Sequence, residues 1–270
     1  MKSKLADKII YWRLFPGVEK MRFLRYEFQK NAYWGWINGD KVGKIDGNIY
    51  GDFRRYEADP PVEKVKFLPP VLPSKIVCVG RNYVAHAVEH KEDVPEIPMI
   101  FLKPPSSLLA DGESILIPPQ SNQVEHEAEL AVIIGKQGRW IDPEEADDYI
   151  FGYSIANDVT ARDLQRLDGQ WTRGKGFDTF CPIGPFVETE FDDSDSLITC
   201  KVNGQVRQMA STRDMVFPVE RLIAFISSVM TLNAGDVILT GTPAGVGVLN
   251  TGDIIEIEIE GLGILKNFVE

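Results

Sequence analysis

Short segments that alternate apolar and polar residues dominate this chain, and that two-residue period restricts most of it to β-strands. Residues 21–50 alternate in this way on both sides of Asn38-Gly39, a dipeptide typical of a type I′ hairpin turn. Residues 197–207 repeat the arrangement around Asn203-Gly204, and residues 254–260 alternate strictly before a glycine-rich turn. The pattern predicts a fold built largely from strands and hairpins.

Four apolar runs add strands to this prediction, over residues 75–79, 124–134, 150–156 and 237–240. Two other segments have helical character. Asp142 and Pro143 begin the first with an N-cap and a proline at the first helical position, and residues 218–232 carry apolar side chains at helical spacing. No regular βαβ repeat is present, so the sequence indicates a β-rich α+β fold and not a nucleotide-binding doubly wound sheet.

A proline-dense segment over residues 59–73 divides the chain. Proline stiffens the backbone and cannot donate to a strand ladder, so this segment is interpreted as a linker. Residues 1–73 are therefore predicted to be a small N-terminal β module with a proline-rich linker, and residues 74–270 the main domain. Residues 1–20 precede the first patterned strand and fit either a short docking extension or an upstream start codon.

The net charge and the hydropathy pattern argue against nucleic acid and membrane as partners. The 270 residues carry a formal net charge of -11 and no long Lys/Arg cluster, so nucleic acid is not an expected partner. No stretch reaches the roughly 18 to 20 apolar residues of a membrane helix, and no secretion signal begins the chain, so we expect a cytoplasmic protein without a membrane partner. Cys78, Cys181 and Cys200 lack zinc-site spacing and are expected to be buried thiols.

The most informative segment is 124–134, where Glu125, Glu127 and Glu129 alternate before an apolar run. In an extended strand, all three carboxylates project from one face. Such acids commonly belong to a solvated edge strand. Here the strand continues into residues 130–134, which suggests that it enters the core, where unpaired carboxylates would be costly. A bound divalent cation would remove that cost.

A third metal ligand is expected from another strand end, because Asn157 and Asp158 follow the apolar run at 150–156. An Asn-Asp pair in this place is otherwise typical of a turn or a helix N-cap, so Asp158 gains weight only together with the glutamates. Carboxylate oxygens without a nearby cysteine favour Mg²⁺, Mn²⁺ or Ca²⁺ over structural zinc. The sequence therefore predicts a site for a hard cation.

A histidine and a glutamate three residues apart form a second candidate group. Gly80 ends a predicted strand, and Asn82 would cap a helix on which His86 and Glu89 share one face. A carboxylate beside an imidazole orients it and raises its basicity, which is typical of a general base. The same pair would also fit a surface helix, where it contributes roughly a few tenths of a kcal/mol.

Two lysines and a glycine-rich loop complete the candidates. Lys103 precedes two prolines and Lys175 lies between glycines that permit close backbone approach, so either could pair with an anionic substrate, although both also fit solvated loop lysines. Residues 240–247 resemble a phosphate cradle but lack the Lys-Ser/Thr pair of a P-loop. Free backbone donors and the Thr242 hydroxyl would suit a carboxylate there.

In this order, the segments resemble the fumarylacetoacetate hydrolase family. The resemblance covers residues 76–269 and rests on six joined motifs: Gly80-Arg81-Asn82-Tyr83 with His86 and Glu89; Phe101-Leu102-Lys103-Pro104; His126-Glu127-Ala128-Glu129-Leu130; Asn157-Asp158-Val159-Thr160-Ala161-Arg162-Asp163; Lys175-Gly176-Phe177-Asp178; and Thr240-Gly241-Thr242-Pro243. The resemblance implies a mixed β-sheet roll like the family's C-terminal domain, preceded by a small N-terminal β module, and a homodimer.

The resemblance also implies roles for individual residues. Mg²⁺ or Mn²⁺, which Ca²⁺ could replace in crystals, would be held by Glu127, Glu129 and Asp158. Glu125 would then be a neighbour and not a ligand. The catalytic residues would be His86, Glu89 and Lys175. Contacts with a small 2-oxo-acid substrate would come from Arg81, Tyr83, Lys103, Gln165 and Thr242.

Family membership leaves the reaction open. In each reaction the metal would chelate the carboxylate and carbonyl of a 2-oxo acid and stabilise the developing enolate. With His86 and Glu89 both present, the predicted reaction is hydrolysis of a C–C bond in acylpyruvate-type 1,3-diketo acids by an activated water. The alternative is isomerisation or decarboxylation of 2-oxo diacids of the oxaloacetate or 2-hydroxyhepta-2,4-diene-1,7-dioate type. A non-catalytic, metal-stabilised binding protein is a third interpretation.

Overall fold

The computed structural model describes residues 10–12, 21–89, 91–93 and 95–270. Its strands, in chain order, are β1 Ile10–Trp12, β2 Arg22–Phe28, β3 Asn31–Asn38, β4 Lys41–Gly47, β5 Phe53–Arg55, β6 Lys66–Leu68, β7 Ile76–Gly80, β8 Met99–Lys103, β9 Leu108–Leu109, β10 Ser114–Ile115, β11 Val124–His126, β12 Ala128–Ile134, β13 Ile150–Asn157, β14 Thr160–Ala161, β15 Cys181–Glu188, β16 Leu197–Val202, β17 Gln205–Ser211, β18 Val237–Leu239, β19 Gly247–Val248, β20 Ile254–Ile259 and β21 Gly263–Val269. The α-helices are α1 Val84–Glu89, α2 Arg162–Asp168, α3 Thr172–Lys175 and α4 Val219–Val229. Short 3-10 helices occupy Val62–Lys64, Pro105–Ser107, Pro143–Tyr149 and Thr212–Asp214.

The described residues form three sheets. The largest contains thirteen strands, most of them in the order β1-β5-β4-β3-β2-β15-β13-β12-β18-β7-β8, with β6 beside β2 and β9 beside β15. Five strands in the order β10-β21-β20-β16-β17 form the second sheet, and β14-β11-β19 form the third. Most pairs are antiparallel, but three are parallel: β18 with β7, β10 with β21 and β9 with β15. The predicted β-rich α+β fold with a mixed β-sheet is confirmed.

The central strand of the core is β12, whose side chains are buried along its whole length. Leu130, Val132 and Ile134 pack with the five-stranded sheet and α4, whereas Ala131 and Ile133 pack with residues of the N-terminal strands. Successive side chains of a strand point to opposite faces. A strand that is buried on both faces therefore needs apolar residues at consecutive positions. The N-terminal strands therefore cover one face of the sheet that carries β12.

The proline-dense segment at residues 59–73 is more than a linker. It contains the 3-10 helix Val62–Lys64 and strand β6, which pairs with β2. Arg25 on β2 also donates through Nη1 to the carbonyl of Pro69 at 3.1 Å. Because β2 also pairs with β15, the N-terminal strands continue the main sheet. Of the predicted extension at residues 1–20, only β1 lies within the described residues.

Both Asn-Gly dipeptides lie at hairpins. Asn203 and Gly204 have φ values of 51° and 77° between β16 and β17, as a type I′ turn requires. In the first hairpin Asn38 pairs with Lys41, so the turn residues are Gly39 and Asp40 and the turn begins one residue later than the dipeptide predicts.

The two predicted helices differ in outcome. The helix predicted over 218–232 is confirmed as α4, whereas the segment after Asp142 is a 3-10 helix, and the Asp142 side chain makes no capping hydrogen bond. Within that segment only Ala146 is buried, so no apolar stripe holds an α-helix against the core. No helix in the described ranges combines the length and apolar character that crossing a bilayer requires.

One buried carboxylate joins the starts of β7 and β18. Asp236 is fully buried and accepts hydrogen bonds from the Ser74 amide at 3.1 Å, the Ser74 hydroxyl at 2.6 Å and the Lys75 amide at 3.2 Å. It also accepts from the Asn233 amide at 2.8 Å and pairs with the Lys75 ammonium. Removing this carboxylate would leave several backbone donors without an acceptor.

We therefore expect Asp236→Ala to lower the free energy of unfolding by about 3 to 5 kcal/mol. The matched control is Asp195→Ala, because Asp195 pairs with Arg213 at 3.1 Å while both side chains are more than half exposed. That exposed pair should contribute about 1 kcal/mol or less. Urea unfolding followed by circular dichroism measures both changes; equal losses in the two variants would contradict the role of Asp236.

Candidate active site

Three buried carboxylates meet where the strand predicted over 124–134 is interrupted. Glu127 occupies the break between β11 and β12, Glu129 is the second residue of β12, and Asp158 follows β13. One oxygen of each lies within 4.8 Å of the others. The break is held by Asn157, whose Oδ1 accepts from the Glu127 amide at 2.9 Å, and by the Asp158 amide, which donates to the Glu127 carbonyl at 2.8 Å.

Two buried lysines contact this cluster. The Lys175 ammonium lies 2.7 Å from Glu127 Oε2 and 2.7 Å from Asp158 Oδ2. Lys103 donates to Asp158 Oδ1 at 2.6 Å and to the Val159 carbonyl at 3.2 Å. Both lysine side chains are at most 2% exposed, so the solvated-loop interpretation of these residues is wrong.

Arg162 on α2 provides the third cation. Its Nε donates to Glu125 Oε2 at 2.7 Å, its Nη2 pairs with Glu127 Oε1, and its Nη1 donates to Gln165 Oε1 at 2.7 Å. Glu125 also accepts from Gln123 at 2.6 Å and does not belong to the three-carboxylate group. The solvated edge strand is therefore excluded, since Glu125, Glu127 and Glu129 are all at least 94% buried.

The charged groups of the site shift the pKa values of its carboxyl groups in opposite directions. Burial would raise the pKa of Glu127, but Lys175 and Arg162 lower that pKa below its ordinary value. Burial raises the pKa of Glu129 well above its usual range, and the neighbouring Asp158 and Glu127 raise it further. Burial alone would lower the pKa of Lys175, yet Asp158 and Glu127 raise it, so this lysine keeps its charge.

The donor set fits a hard divalent cation. All three groups are carboxylates, the ligand type that Mg²⁺ and Mn²⁺ prefer. Glu129 Oε1 accepts no hydrogen bond from the described residues, and a carboxylate oxygen that accepts one bond keeps a second lone pair. Glu127, Glu129 and Asp158 could therefore hold the ion.

The predicted histidine–glutamate pair is present on α1. His86 Nδ1 lies 3.5 Å from Glu89 Oε2, and Glu89 accepts from the Gly245 amide at 3.2 Å through each of its oxygens. The predicted helix cap is wrong, because both amide atoms of Asn82 bond elsewhere. Its Nδ2 donates to the Phe217 and Thr240 carbonyls, and its Oδ1 accepts from the Phe217 amide.

A cleft of about 360 Å³ connects these groups. It is lined by Val79, Gly80, Arg81, His86, Glu92, Phe101, Glu127, Glu129, Asp158, Arg162, Gln165, Arg166, Gly169, Trp171, Lys175 and Thr242. Phe101 and Trp171 form an edge-to-face aromatic wall with ring centroids 5.0 Å apart, and a Cβ on Gly80 would approach the Trp171 ring to 3.0 Å. The cleft size is near the lower end of the roughly 300 to 1,000 Å³ typical of small-molecule sites.

Two residues predicted to contact substrate lie elsewhere. Tyr83 lines a second cavity with Met209 and Asp214, and Lys103 lies behind Asp158. The glycine-rich loop does bind carboxylates, but they are the protein's own, because Gly241 donates to Glu129 at 2.7 Å and Gly245 donates to Glu89. Backbone donors in this loop are thus partly occupied before any substrate enters.

The glycine beside Lys175 has a structural role. A Cβ on Gly174 would approach the Gln165 backbone to 2.9 Å, so this glycine lets α3 lie against α2. Sequence reasoning took it as allowing approach to a ligand. The sequence predicted no role for Arg162 or Arg166, although Arg162 lies in the motif at residues 157–163, four residues after Asp158.

The three cysteines are free and buried, as expected. Burial raises the pKa of Cys181 and of Cys200 to about 12, and it raises the pKa of Cys78 well above its ordinary value. Thiols with raised pKa values are poor nucleophiles at neutral pH. None of the three cysteines is among the residues that line the cleft.

Comparison with known families and proteins agrees with the geometry. Residues 75–270 match the family of the fumarylacetoacetate (FAA) hydrolase C-terminal domain, and residues 21–70 match the Rv2993c-like N-terminal family. The uncharacterized protein MJ1656 of Methanocaldococcus jannaschii is 48% identical over 86% of this chain and 95% of its own length. Human mitochondrial oxaloacetate tautomerase FAHD2B is 47% identical over 77% of this chain and 71% of its own length.

A solved structure extends the similarity to the fold. The crystal structure of 2-hydroxyhepta-2,4-diene-1,7-dioate isomerase from Mycobacterium marinum is 41% identical, with a TM-score of 0.86 over 92% of this chain and 98% of that one. Family match, sequence identity and fold agree along almost the whole described chain. The protein belongs to the fumarylacetoacetate hydrolase family.

Proposed function

We propose that the protein is a divalent-cation-dependent enzyme that isomerises small 2-oxo dicarboxylic acids by moving a proton beside the carbonyl. The observation that carries the proposal is one small cleft lined by three clustered carboxylates, by arginines and by His86, whose ring lies beside Glu89. Relatives named as an oxaloacetate tautomerase and a heptadienedioate isomerase support it.

The arginines favour a substrate with a second carboxylate. Arg166 is exposed and makes no hydrogen bond or ion pair with the described residues, so its guanidinium is available to an anion. Arg81 lies 3.5 Å from Glu92, and both charges are partly exposed. Arginine binds carboxylates in a bidentate manner. The cleft would thus recognise a dicarboxylate better than a neutral-tailed acid.

The His86–Glu89 pair would transfer the substrate proton. Glu89 lies 3.5 Å from Nδ1 of His86 and would raise the basicity of the ring, which would take a proton from the carbon next to the carbonyl while the C–H electron pair shifts toward the carbonyl oxygen. A proton returned to that oxygen gives the enol, and one returned to a more distant carbon gives the double-bond isomer. The cation, when bound, would polarise the carbonyl. Lys175 would keep its positive charge next to Glu127 and Asp158, two of the carboxylates that would hold the cation.

Hydrolysis of acylpyruvates is the second candidate. The observation that favours it is the same His86–Glu89 pair, which could take a proton from water instead of carbon. The water would then attack the distal carbonyl, and the C–C bond would break with pyruvate leaving. Decarboxylation of oxaloacetate is distinguished from both by the release of carbon dioxide.

Binding of the cation should stabilise the fold. Mg²⁺ or Mn²⁺ at about 100 times its dissociation constant should stabilise the fold by about 2.7 kcal/mol, which is a rise in Tm of roughly 5 to 10 °C for a chain of this size. Glu129→Gln should abolish most of the rise, since it removes a ligand charge yet keeps an oxygen for the Gly241 amide. Glu125→Gln is the matched control and should keep it. Differential scanning calorimetry with and without EDTA measures this, and an equal loss in both variants would contradict the assignment.

Proton transfer should require His86. His86→Asn should lower kcat for oxaloacetate tautomerisation, followed by ultraviolet absorbance of the enol, by roughly 10² to 10⁴. The metal-dependent rise in Tm should remain. Val88→Ala is the control, because Val88 is 69% exposed on the same helix. If the parent cleaves acetylpyruvate and leaves oxaloacetate unchanged, hydrolysis replaces isomerisation; if it transforms neither compound, the proposal fails in favour of a binding protein.

Arg166 should bind the second carboxylate of the substrate. Arg166→Met should raise KM for oxaloacetate about tenfold or more, as expected for the loss of a charged hydrogen bond of about 1.5 to 3 kcal/mol. Binding of oxalate, whose two carboxylates are directly bonded and which is therefore too short to place one of them in the distal position, should change little. The exposed Arg173 already pairs with Asp168, so Arg173→Met should affect neither. Steady-state kinetics and calorimetry with oxalate test this, and an unchanged KM in Arg166→Met would remove the dicarboxylate argument.

A further inference from the structure

The side-chain amide of Gln208 contacts two parts of the candidate active site at once. Gln208 lies on β17 of the five-stranded sheet and is fully buried. Its Oε1 accepts from the Ala128 amide at 3.0 Å and lies 3.0 Å from His126 Nδ1. Its Nε2 donates to Thr242 Oγ1 at 2.7 Å and to the Pro243 carbonyl at 2.8 Å. A residue from a separate sheet therefore uses every polar atom of its side chain next to the site.

Two of these partners fix the orientation of the amide. The Ala128 N–H can only donate and the Pro243 carbonyl can only accept, so Oε1 must face Ala128 and Nε2 must face Pro243. It follows that His126 carries its proton on Nδ1 and that the Thr242 hydroxyl accepts from Gln208. The network thus has one consistent set of donors and acceptors.

The same reasoning decides what Thr242 can offer a substrate. Thr242 Oγ1 lies 2.9 Å from the Ala128 carbonyl, which can only accept, so the one hydroxyl proton is committed there. With one lone pair accepting from Gln208, the hydroxyl presents only its second lone pair to the cleft. It can accept from a substrate O–H, such as an enol, but it has no proton left to donate to a carboxylate, contrary to the role predicted from the sequence.

The contacts of Gln208 bear directly on the carboxylates. Ala128 lies between Glu127 and Glu129, so its amide anchors the peptide from which both side chains project. Thr242 follows Gly241, whose amide donates to Glu129 Oε2 at 2.7 Å. By bonding to Ala128 and Thr242 together, Gln208 sets the distance between the strand and the loop that hold Glu129 from two sides.

We propose that Gln208 is a positioning residue for the metal site, acting through Ala128 and Thr242 and touching neither the ion nor the substrate. This inference rests on the metal binding in the proposed function. Partners that orient ligands in this indirect way typically contribute 10- to 100-fold to metal affinity. A buried amide that only supports the fold would contribute to stability and not to affinity.

The chain offers a matched control for that distinction. Asn267 on β21 is also a buried amide, and its Nδ2 donates to the Ala110 carbonyl at 2.8 Å and to the Glu113 carbonyl at 3.0 Å. None of these partners lines the cleft. Asn267→Leu therefore removes a comparable buried amide of the same five-stranded sheet away from the carboxylates.

The test is calorimetric titration of the full chain with Mn²⁺. Gln208→Met, which keeps the side-chain length without polar atoms, should bind Mn²⁺ roughly 10 to 100 times more weakly, while Asn267→Leu should bind within about twofold of the parent. If Gln208→Met does not fold, Gln208→Asn serves, because it keeps an amide that is one methylene too short to span Ala128 and Thr242. Mn²⁺ affinity within twofold of the parent in the folded variant would overturn the inference. A parent that binds no Mn²⁺ would overturn the proposed metal function as well.

A double-mutant cycle tests the route through Thr242. Thr242→Val removes both the hydroxyl that Gln208 donates to and that hydroxyl's own bond to the Ala128 carbonyl, so the loss of Mn²⁺ affinity in the double variant should be smaller than the product of the two single losses. Thr242→Ser keeps the hydroxyl and should restore parental affinity. Fold-changes that multiply in the double variant would show that the two side chains act independently, and they would overturn this part of the inference.

Discussion

A concentration of buried negative charge is the constraint around which the site is built. Four carboxylates, on Glu125, Glu127, Glu129 and Asp158, are almost fully removed from water. Ionised groups in such surroundings are costly unless each has a charged partner or an ion. Three cations contact them, from Lys103, Arg162 and Lys175, so one negative charge is unbalanced among these groups when all four carboxylates are ionised. A divalent cation would more than balance it, and the raised pKa of Glu129 marks the acid that benefits most.

The fold brings those cations together from distant parts of the chain. Lys103 ends β8 at the edge of the thirteen-stranded sheet, Arg162 begins α2, and Lys175 ends α3. The carboxylates come from the junction of β11 with β12 and from the end of β13. All three sheets contribute, since β11 belongs to the smallest and β17 supplies Gln208 from the five-stranded one. The N-terminal strands contribute instead to the core beneath β12.

Local patterns account for what the sequence could predict. The alternation of Glu127 and Glu129 before an apolar run, and Asp158 at a strand end, were sufficient to propose the carboxylate cluster, and the three-residue spacing of His86 and Glu89 placed them on one helix face. The interruption at Glu127 was not predictable, because no glycine or proline marks it.

The features that escaped prediction depend on contacts between distant segments. The interruption at Glu127 is held by the side chain of Asn157, thirty positions away. Gln208 reaches Ala128 across eighty positions, and no periodicity in β17 distinguishes it from an ordinary inward-facing residue. The 3-10 form of the segment at Pro143–Tyr149 likewise follows from its exposure to solvent, which local capping signals do not reveal.

The cleft has two kinds of polar group, those already paired within the protein and those still available to a ligand. The cations at its base are already bonded to the protein's own carboxylates, so they set the local field but have little capacity left to select a substrate. Gln165 is paired through only one of its two polar atoms. Arg162 can only donate, so Oε1 of Gln165 faces Arg162 and the NH₂ group of Gln165 remains to donate to another group. In the proposed reaction, selection of the distal group would therefore depend on Gln165 and on the exposed Arg166. Substitutions of these residues would then change the substrate without disturbing the buried charges.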